Sequence, residues 1–299
     1  MLLCIGEILA DMIGEEKNGI TTYERKAGGA PFNVACALKK FGREVKFVGS
    51  VGSDLIGQFL ITYARDFGMD TTYIHQDSER NTTLAFVELN GEGERSFCFY
   101  RKNTADYYLP AVTDEMLNAS HIVCIGSLML AEPRCVEYAL DIIHRAHALG
   151  KLVAFDVNYR TDIYRDTESA IATYKKILSE ADIVKFSEDE VEIFTEAYVS
   201  SLCDKLVLIT LGKAGSKWQY KGRENSLPTI TVQPVDTTGA GDAFFAGALS
   251  VLDQHMETPF HEDVFNAMLR FGNVAGALNT TGRGAIDHLP TLETVNAYI

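Results

Sequence analysis

Short runs of consecutive apolar, often β-branched residues alternate along this chain with longer stretches in which apolar positions recur every three or four residues. Leu152–Phe155, Ile183–Phe186 and Leu206–Thr210 are of the first kind, and each is followed by a helix-length amphipathic segment. Strands that are apolar without alternation are buried on both faces, so this rhythm predicts a parallel sheet covered by helices. Glu132–Leu149 predicts a helix closed by Gly150 just before the strand Leu152–Phe155. Pro31 opens another helix, with Val34, Ala37, Leu38 and Phe41 on one face and Gly42 as its stop, ahead of the strand Val45–Val48.

The rhythm breaks at Thr83–Leu89 and Ser96–Tyr100. Both are strand-like, and the turn residues Asn90-Gly91-Glu92-Gly93 between them predict an antiparallel hairpin. Its two faces are read as Leu84, Phe86, Phe97 and Phe99 against Val87, Leu89, Cys98 and Tyr100, so neither is polar and both are expected to be covered. With the β-prone stretch Ile20–Tyr23, the hairpin is either a small sheet projecting from the main domain or an ordinary edge hairpin. No internal repeat or low-complexity linker divides the 299 residues, which are read as a single domain.

Composition narrows the function. With 46% hydrophobic and 23% charged residues the chain can bury a large core, and its net charge of −14 repels phosphate backbones and anionic lipid, which argues against nucleic-acid and membrane-surface roles. The best apolar run, Ala243–Leu252, is interrupted by Gly247 and Ser250 and is far short of the roughly 18 residues of a spanning helix. Glu7 and Asp11 interrupt the apolar start and no basic leader precedes it, so no signal peptide is expected. The six cysteines form no CxxC pair and lie in apolar stretches, which predicts buried free thiols in a reducing cytoplasm rather than disulfides or zinc ligands.

The densest chemistry is Val235-Asp236-Thr237-Thr238-Gly239-Ala240-Gly241-Asp242, where small residues lead into the helix-forming run Ala243–Ala248. Such a start can aim the amides of Gly239, Ala240 and Gly241 at one spot, which suits an anion. Asp242 has a plain reading as an acid favoured by the helix dipole. A carboxylate beside a bound phosphate also repels it, and deprotonating a hydroxyl nucleophile is the role that compensates. A second segment, Ala27-Gly28-Gly29-Ala30-Pro31-Phe32-Asn33, combines a glycine pair with an amide that can donate and accept, as a polyol requires. Alone, it reads more readily as a turn before a proline-started helix. No G-x-x-x-x-G-K-[ST] loop occurs. His144 and His147 lack a partner at metal-ligand spacing and read as a solvated helix face.

With Gly6-Glu7 and Asp11, Gly49–Gly57, Asp156-Val157-Asn158-Tyr159-Arg160 and Thr210–Gly215 lying in order around these two segments, the sequence resembles the ribokinase-like (PfkB) family of carbohydrate kinases over essentially its whole length. The resemblance implies an α/β fold, a mainly parallel sheet flanked by helices, with a small protruding β-sheet lid formed by inserted strands at about 12–26 and 82–102. It also implies in-line transfer of the ATP γ-phosphate to a sugar hydroxyl. Asp242 is then the catalytic base, the Gly239, Ala240, Gly241 and Asp242 amides form the anion hole, and Arg160 lies near the transferred phosphate or the substrate. Asp11, Gly28, Gly29, Asn33 and Asn158 are expected to hold the sugar, and Lys185, Thr210, Gly212, Gly215 and Asn273 the nucleotide. ATP and Mg2+ are the implied cofactors. Asp236 and Thr238 match positions that help hold a monovalent cation in potassium-activated relatives, although a plain turn before the helix explains them equally. A homodimer through the lid is expected, on the apolar residues Val87, Leu89 and Phe97–Phe99.

One motif departs from the family's Asn-x-x-Glu: here it is Ser187-Glu188-Asp189-Glu190. The version with Lys185 and Ser187 is associated with fructokinase-like members, with Glu190 organising Mg2+ through water, while an acidic first helical turn is the alternative. Phe97–Asp106 is similar to the fructokinase pattern of Tyr-Arg followed by Ala-Asp. Related 2-keto-3-deoxygluconate kinases share the Tyr-Arg, whose guanidinium can grip a carboxylate, so Arg101 and Asp106 are placed at the substrate and Asp106 leans toward a neutral sugar. D-fructose is the expected acceptor, with 2-keto-3-deoxygluconate as runner-up. A sensor that kept the fold and lost catalysis is a different class, against which the intact Asp242 speaks.

Overall fold

The computed structural model describes residues 1–89, 95–164 and 166–299; the predicted turn Asn90-Gly91-Glu92-Gly93 and the side chains of residues 17, 88, 89 and 95–97 lie outside that description. Thirteen strands are found among the described residues: β1 (Leu2–Ile5), β2 (Leu9–Lys17), β3 (Ile20–Gly28), β4 (Val45–Gly52), β5 (Ile74–Asp77), β6 (Leu84–Leu89), β7 (Arg95–Tyr100), β8 (Ile122–Ile125), β9 (Leu152–Asp156), β10 (Ile183–Ser187), β11 (Leu206–Thr210), β12 (Ser216–Tyr220) and β13 (Arg223–Leu227). Nine of them make one sheet in the order β13-β12-β11-β10-β9-β8-β1-β4-β5. Its pairings are parallel except for the β11-β12-β13 edge, which is antiparallel, so Leu206–Thr210 is followed by a hairpin and not by the helix expected after it.

Period-two alternation sorts each central strand between two cores. In β1, Leu2 and Cys4 pack into one and Leu3 and Ile5 into the other; in β11, Leu206 and Leu208 oppose Val207 and Ile209 in the same way. The first core lies under α1 (Ala30–Lys40), α2 (Leu55–Asp66), α8 (Ala240–Leu252), α9 (Glu262–Asn279) and α10 (Leu292–Asn296). The second lies under α3 (Asp114–Ala119), α4 (Pro133–Ala148), α5 (Thr167–Glu180), α6 (Glu188–Phe194) and α7 (Glu196–Ser201). The helices opened by Pro31 and closed by Gly150 fall within one or two residues of their expected bounds.

The four remaining strands form a small second sheet in the order β3-β2-β6-β7, antiparallel apart from the parallel pair β2-β6. This is the lid. The hairpin faces differ from the sequence reading, because Leu84 pairs with Tyr100 and Phe86 with Cys98, while Ala85 pairs with Phe99. Phe86 therefore shares a face with Tyr100, their ring centroids 5.2 Å apart, and with Tyr23 at 5.1 Å. Nor are both faces covered: Tyr100 is 62% exposed, whereas Val87 on the opposite face is buried. The cysteines are all free, but Cys98 and Cys203 are exposed rather than buried. His144 and His147 do have acidic partners, Glu180 at 3.8 Å and Asp182 at 3.0 Å, both from other elements and out of reach of spacing arguments.

Candidate active site

The alternation that divides the core also aims the polar residues. Asp156 and Lys185, near the carboxyl ends of β9 and β10, have the parity of Ala154 and Ile183 and so emerge on the α8 side of the sheet. They are register partners, and Lys185 Nζ donates to both Asp156 carboxylate oxygens at 2.8 and 3.0 Å. Burial works against the charged lysine, yet Asp156 and Glu190 outweigh it and hold its pKa above the ordinary value. A Cβ on Gly241 would stand 3.3 Å from that nitrogen, so the bare glycine lets the ammonium lie against the start of α8.

Gly239 precedes α8 with φ 75°, and a Cβ there would come within 2.7 Å of the Ala285 backbone, so only glycine fits. The first amides of a helix have no intrahelical acceptor. That of Ala240 bonds to the Thr237 carbonyl at 3.2 Å, which removes it from the expected anion hole; Gly241 and Asp242 follow it into the first turn. Asp242 Oδ2 accepts from Asn33 Nδ2 at 2.8 Å. Burial raises the Asp242 pKa, against the opposing pull of that bond and of Lys185 and Arg160. A half-buried carboxylate with a raised pKa is a better proton acceptor than a fully solvated one.

Asn33 is in place because Gly29, with φ 109°, starts α1 where any Cβ would lie 2.5 Å from the Glu7 carbonyl. The Asn33 carbonyl oxygen is buried and has no hydrogen-bond partner, so with Nδ2 committed to Asp242 its acceptor remains for a hydroxyl. A Cβ on Gly28 would collide with the Asp11 carboxylate, which makes Gly28 a support for Asp11 rather than a contact of the cleft.

These residues enclose a cleft of about 320 Å³, lined by Asp11, Gly29, Asn33, Asn158, Arg160 and Lys185, with Gly239, Gly241 and Asp242 as its far wall. Phe99 from the lid and Leu128 cover it, and neither was singled out by the sequence reading as a cleft contact. A second cavity of about 660 Å³ is lined by Thr210, Gly212, Gly215, Asn273, Ala240 and Phe244. Asn273 closes its floor by donating to the Leu227 and Pro228 carbonyls at 3.0 and 3.2 Å. Thr237 and Gly241 line both cavities, so the two meet at the glycine-rich turn. A model of the pfkB family of carbohydrate kinases matches residues 1–292.

The chain belongs to this family. Among PfkB relatives it is 34% identical to fructokinase-1 of Zea mays, over 97% of this chain and 95% of that one. It superposes with a TM-score of 0.93 on the ATP-bound fructokinase of Xylella fastidiosa, at 32% identity, covering 100% and 97% of the two chains. With the fructokinase of Vibrio cholerae O395 in its fructose-, ADP- and calcium-bound form the TM-score is 0.89 at 28% identity, covering 99% and 98%. The protein is a sugar kinase with a ribokinase-like fold.

Several expected site residues stand elsewhere in this PfkB kinase. Lys185 lines the cleft with Asp242 and not the second cavity. Arg101 and Asp106 line neither; Arg101 Nε donates to Asp106 Oδ2 at 2.6 Å, and Asp106 is fully buried. Glu190 also lines neither, because its two oxygens accept the amides of Tyr159 and Ser187, each at 2.7 Å, in a capping box that fixes the turn leading to Arg160. Asp236 accepts the amides of Thr238 at 2.8 Å and Gly284 at 2.9 Å and so shapes the loop before Gly239. Asp156 was visible only as part of a motif; its place at the end of an apolar strand was the signal that it faces the site.

Proposed function

We propose that this chain is an ATP-dependent fructokinase that transfers the ATP γ-phosphate to the 6-hydroxyl of D-fructose. The observation that carries the reading is the shared wall: a polyol-sized cleft and a larger, more apolar cavity meet at Gly241, with the half-buried Asp242 on the cleft side. The sugar hydroxyl lies against Asn33 and Asp242. As the oxygen attacks the γ-phosphorus, Asp242 takes its proton and the bond to the β–γ bridging oxygen breaks, releasing ADP. The first-turn amides of Gly241 and Asp242 and the ammonium of Lys185 meet the charge spread over the transferring phosphoryl oxygens.

Among the described residues no cluster of three metal-ligating side chains occurs, which suits Mg2+ held by phosphate oxygens and water. Each Glu190 oxygen makes one backbone bond and keeps a lone pair, and Asp156 is its buried acidic neighbour, so this pair of carboxylates would suit a hydrated Mg2+ held mainly by phosphate. When bound, the ion neutralises phosphate charge. Asp236 and Thr238, on the loop before the anion site, are the residues we assign to a K+ site.

Arg101 is consumed by Asp106, which favours a neutral acceptor over an acid sugar. Arg160 lines the cleft, so 2-keto-3-deoxygluconate remains the comparison substrate. Coupled ADP release across fructose, 2-keto-3-deoxygluconate and ribose tests the reading: fructose should have the highest kcat/KM, and an acid sugar ranked first would remove the fructokinase assignment. Asp242→Asn should cut kcat by about 10²–10⁴ with nucleotide Kd little changed; turnover within a few-fold of the parent would show that the base is elsewhere.

A homodimer through the lid is supported by the exposed face carrying Tyr23, Phe86, Cys98 and Tyr100; of the other residues first expected, Val87 is buried, Phe99 lines the cleft, and the side chains of Leu89 and Phe97 lie outside the described residues. No described helix is long and apolar enough to cross a membrane, and six free thiols suit a cytoplasmic location.

A further inference from the structure

Away from the reacting groups, a group of buried charges lies where the lid joins the body. Arg101 directly follows β7, and its side chain is only 3% exposed. Nε and Nη2 each lie 2.6 Å from Asp106 Oδ2, Nη1 donates to the Leu128 carbonyl at 2.5 Å, and the guanidinium sits 4.1 Å from the centre of the Tyr107 ring. The other oxygen of Asp106 accepts from the hydroxyls of Thr83 at 2.6 Å and Thr104 at 2.7 Å. Thr83 immediately precedes β6. One buried carboxylate thus gathers the chain as it enters the lid hairpin, through Thr83, and as it leaves, through Arg101 and Thr104.

The network reaches the substrate side without touching it. Phe99 stands two residues before Arg101, and Leu128 is held through its own carbonyl; both line the cleft beside Asp242. A buried ion pair gives little stability beyond what apolar residues of equal volume would supply, and its best-attested use is to fix one geometry among several. The Arg101 guanidinium does this in two directions at once, with Nε on Asp106 Oδ2 and Nη1 on the Leu128 carbonyl.

We infer that Arg101 and Asp106 are a positioning pair that sets the sugar side of the cleft, holding Phe99 of the lid and Leu128 of the body at the separation the sugar requires. The pair leaves the nucleotide cavity untouched, since none of its members lines it. The inference rests on the cleft beside Asp242 being the sugar cleft, so the parent enzyme is first shown to phosphorylate a sugar. Failure at that step refutes the functional reading, and every comparison below is made against that sugar.

The test separates the two Michaelis constants. Arg101→Lys keeps the charge and loses the simultaneous hold on Asp106 and the Leu128 carbonyl, Thr83→Val removes one hydroxyl bond, and the double variant Arg101→Met/Asp106→Leu replaces the pair without orphaning a charge. Arg101→Lys and the double variant should raise the sugar KM about tenfold, as expected for a lost charge-assisted bond, with the ATP KM within about twofold of the parent. Thr83→Val should raise the sugar KM about threefold, again leaving the ATP KM in place. A purely structural pair predicts lower melting temperatures with the sugar KM unmoved, or both constants rising together, and either result in Thr83→Val or the double variant overturns the inference. If the double variant does not fold, Thr83→Val and Arg101→Lys decide it.

Discussion

Glu7 offers the clearest check on how burial acts in this fold. It follows β1, is fully buried, and neither carboxylate oxygen has a hydrogen-bond partner. Burial raises its pKa from 4.5 to about 7; Arg101 pulls it down, while Asp106 and Asp242 push it further up. Between pH 4.5 and 7 the folded protein therefore holds a proton that the unfolded chain has released. Stability attributable to this group is complete below pH 4.5 and falls as pH rises, reaching its full loss above pH 7. At about 1.4 kcal/mol per pH unit, the gap corresponds to roughly 3 kcal/mol. Glu7→Gln keeps the shape of the protonated acid and cannot ionise. Urea unfolding followed by the fluorescence of the buried Trp218, in steps from pH 4.5 to 8, should show the variant gaining roughly 3 kcal/mol on the parent across the range. A stability difference between variant and parent that stays flat with pH would refute the reasoning, because burial would then not be costing Glu7 its charge.

Other outcomes follow from single contacts. Gly29→Ala places a Cβ against the Glu7 carbonyl at a φ of 109°, so it should lower stability by about 2 kcal/mol or more and weaken sugar binding through Asn33, read by thermal unfolding and sugar KM. Asn33→Leu removes the bond to Asp242 and the unpartnered acceptor, and should lower kcat/KM for the sugar by about 10²-fold with the ATP KM little changed. A K+ site at Asp236 and Thr238 predicts faster turnover in potassium than in tetramethylammonium at equal ionic strength; equal rates would sink it. Sedimentation showing a monomer at micromolar concentration with full activity would remove the lid dimer.

The parts of the molecule legible in the sequence are those where one residue's neighbours are set by its own element. Leu206–Thr210 reads as a buried strand because it is one, on both faces, and the Gly239–Asp242 turn shows its chemistry in four consecutive residues. Contacts that depend on how two segments are brought together were out of reach. The hairpin faces went wrong because pairing Leu84 with Tyr100 depends on the number of residues taken up by the turn, and a shift of one position exchanges the faces. Arg101 was placed at the substrate because its type suits a carboxylate; that the carboxylate is its own Asp106, five residues on, is a matter of backbone path. The polar strand β13 carries no apolar alternation, since most of its side chains are exposed, and it is held by pairing with β12.

The charge balance of the cleft explains how a protein of net charge −14 can take up a nucleotide triphosphate. The cations lining the cleft are Arg160 and Lys185, and Lys185 is already matched by Asp156 at 2.8 Å. Of the carboxylates, Asp11 stands in the same cleft as Arg160, and Asp242 is biased toward its neutral form by desolvation and restrained by Asn33. The site is thus close to locally neutral before phosphate arrives, and its attraction for phosphate comes to a large degree from the oriented amides at the start of α8, which carry no countercharge to be stripped away. Such dipoles stay fixed as negative charge moves from the attacking sugar oxygen to the departing β–γ bridging oxygen, and they need no reorganisation during transfer. Gly239 and Gly241 serve this arrangement from opposite sides, one by admitting the Ala285 backbone and the other by admitting Lys185. A side chain at either position would separate the amides from the charges they act with, which is why the glycine pattern and the carboxylate that follows it function as one unit.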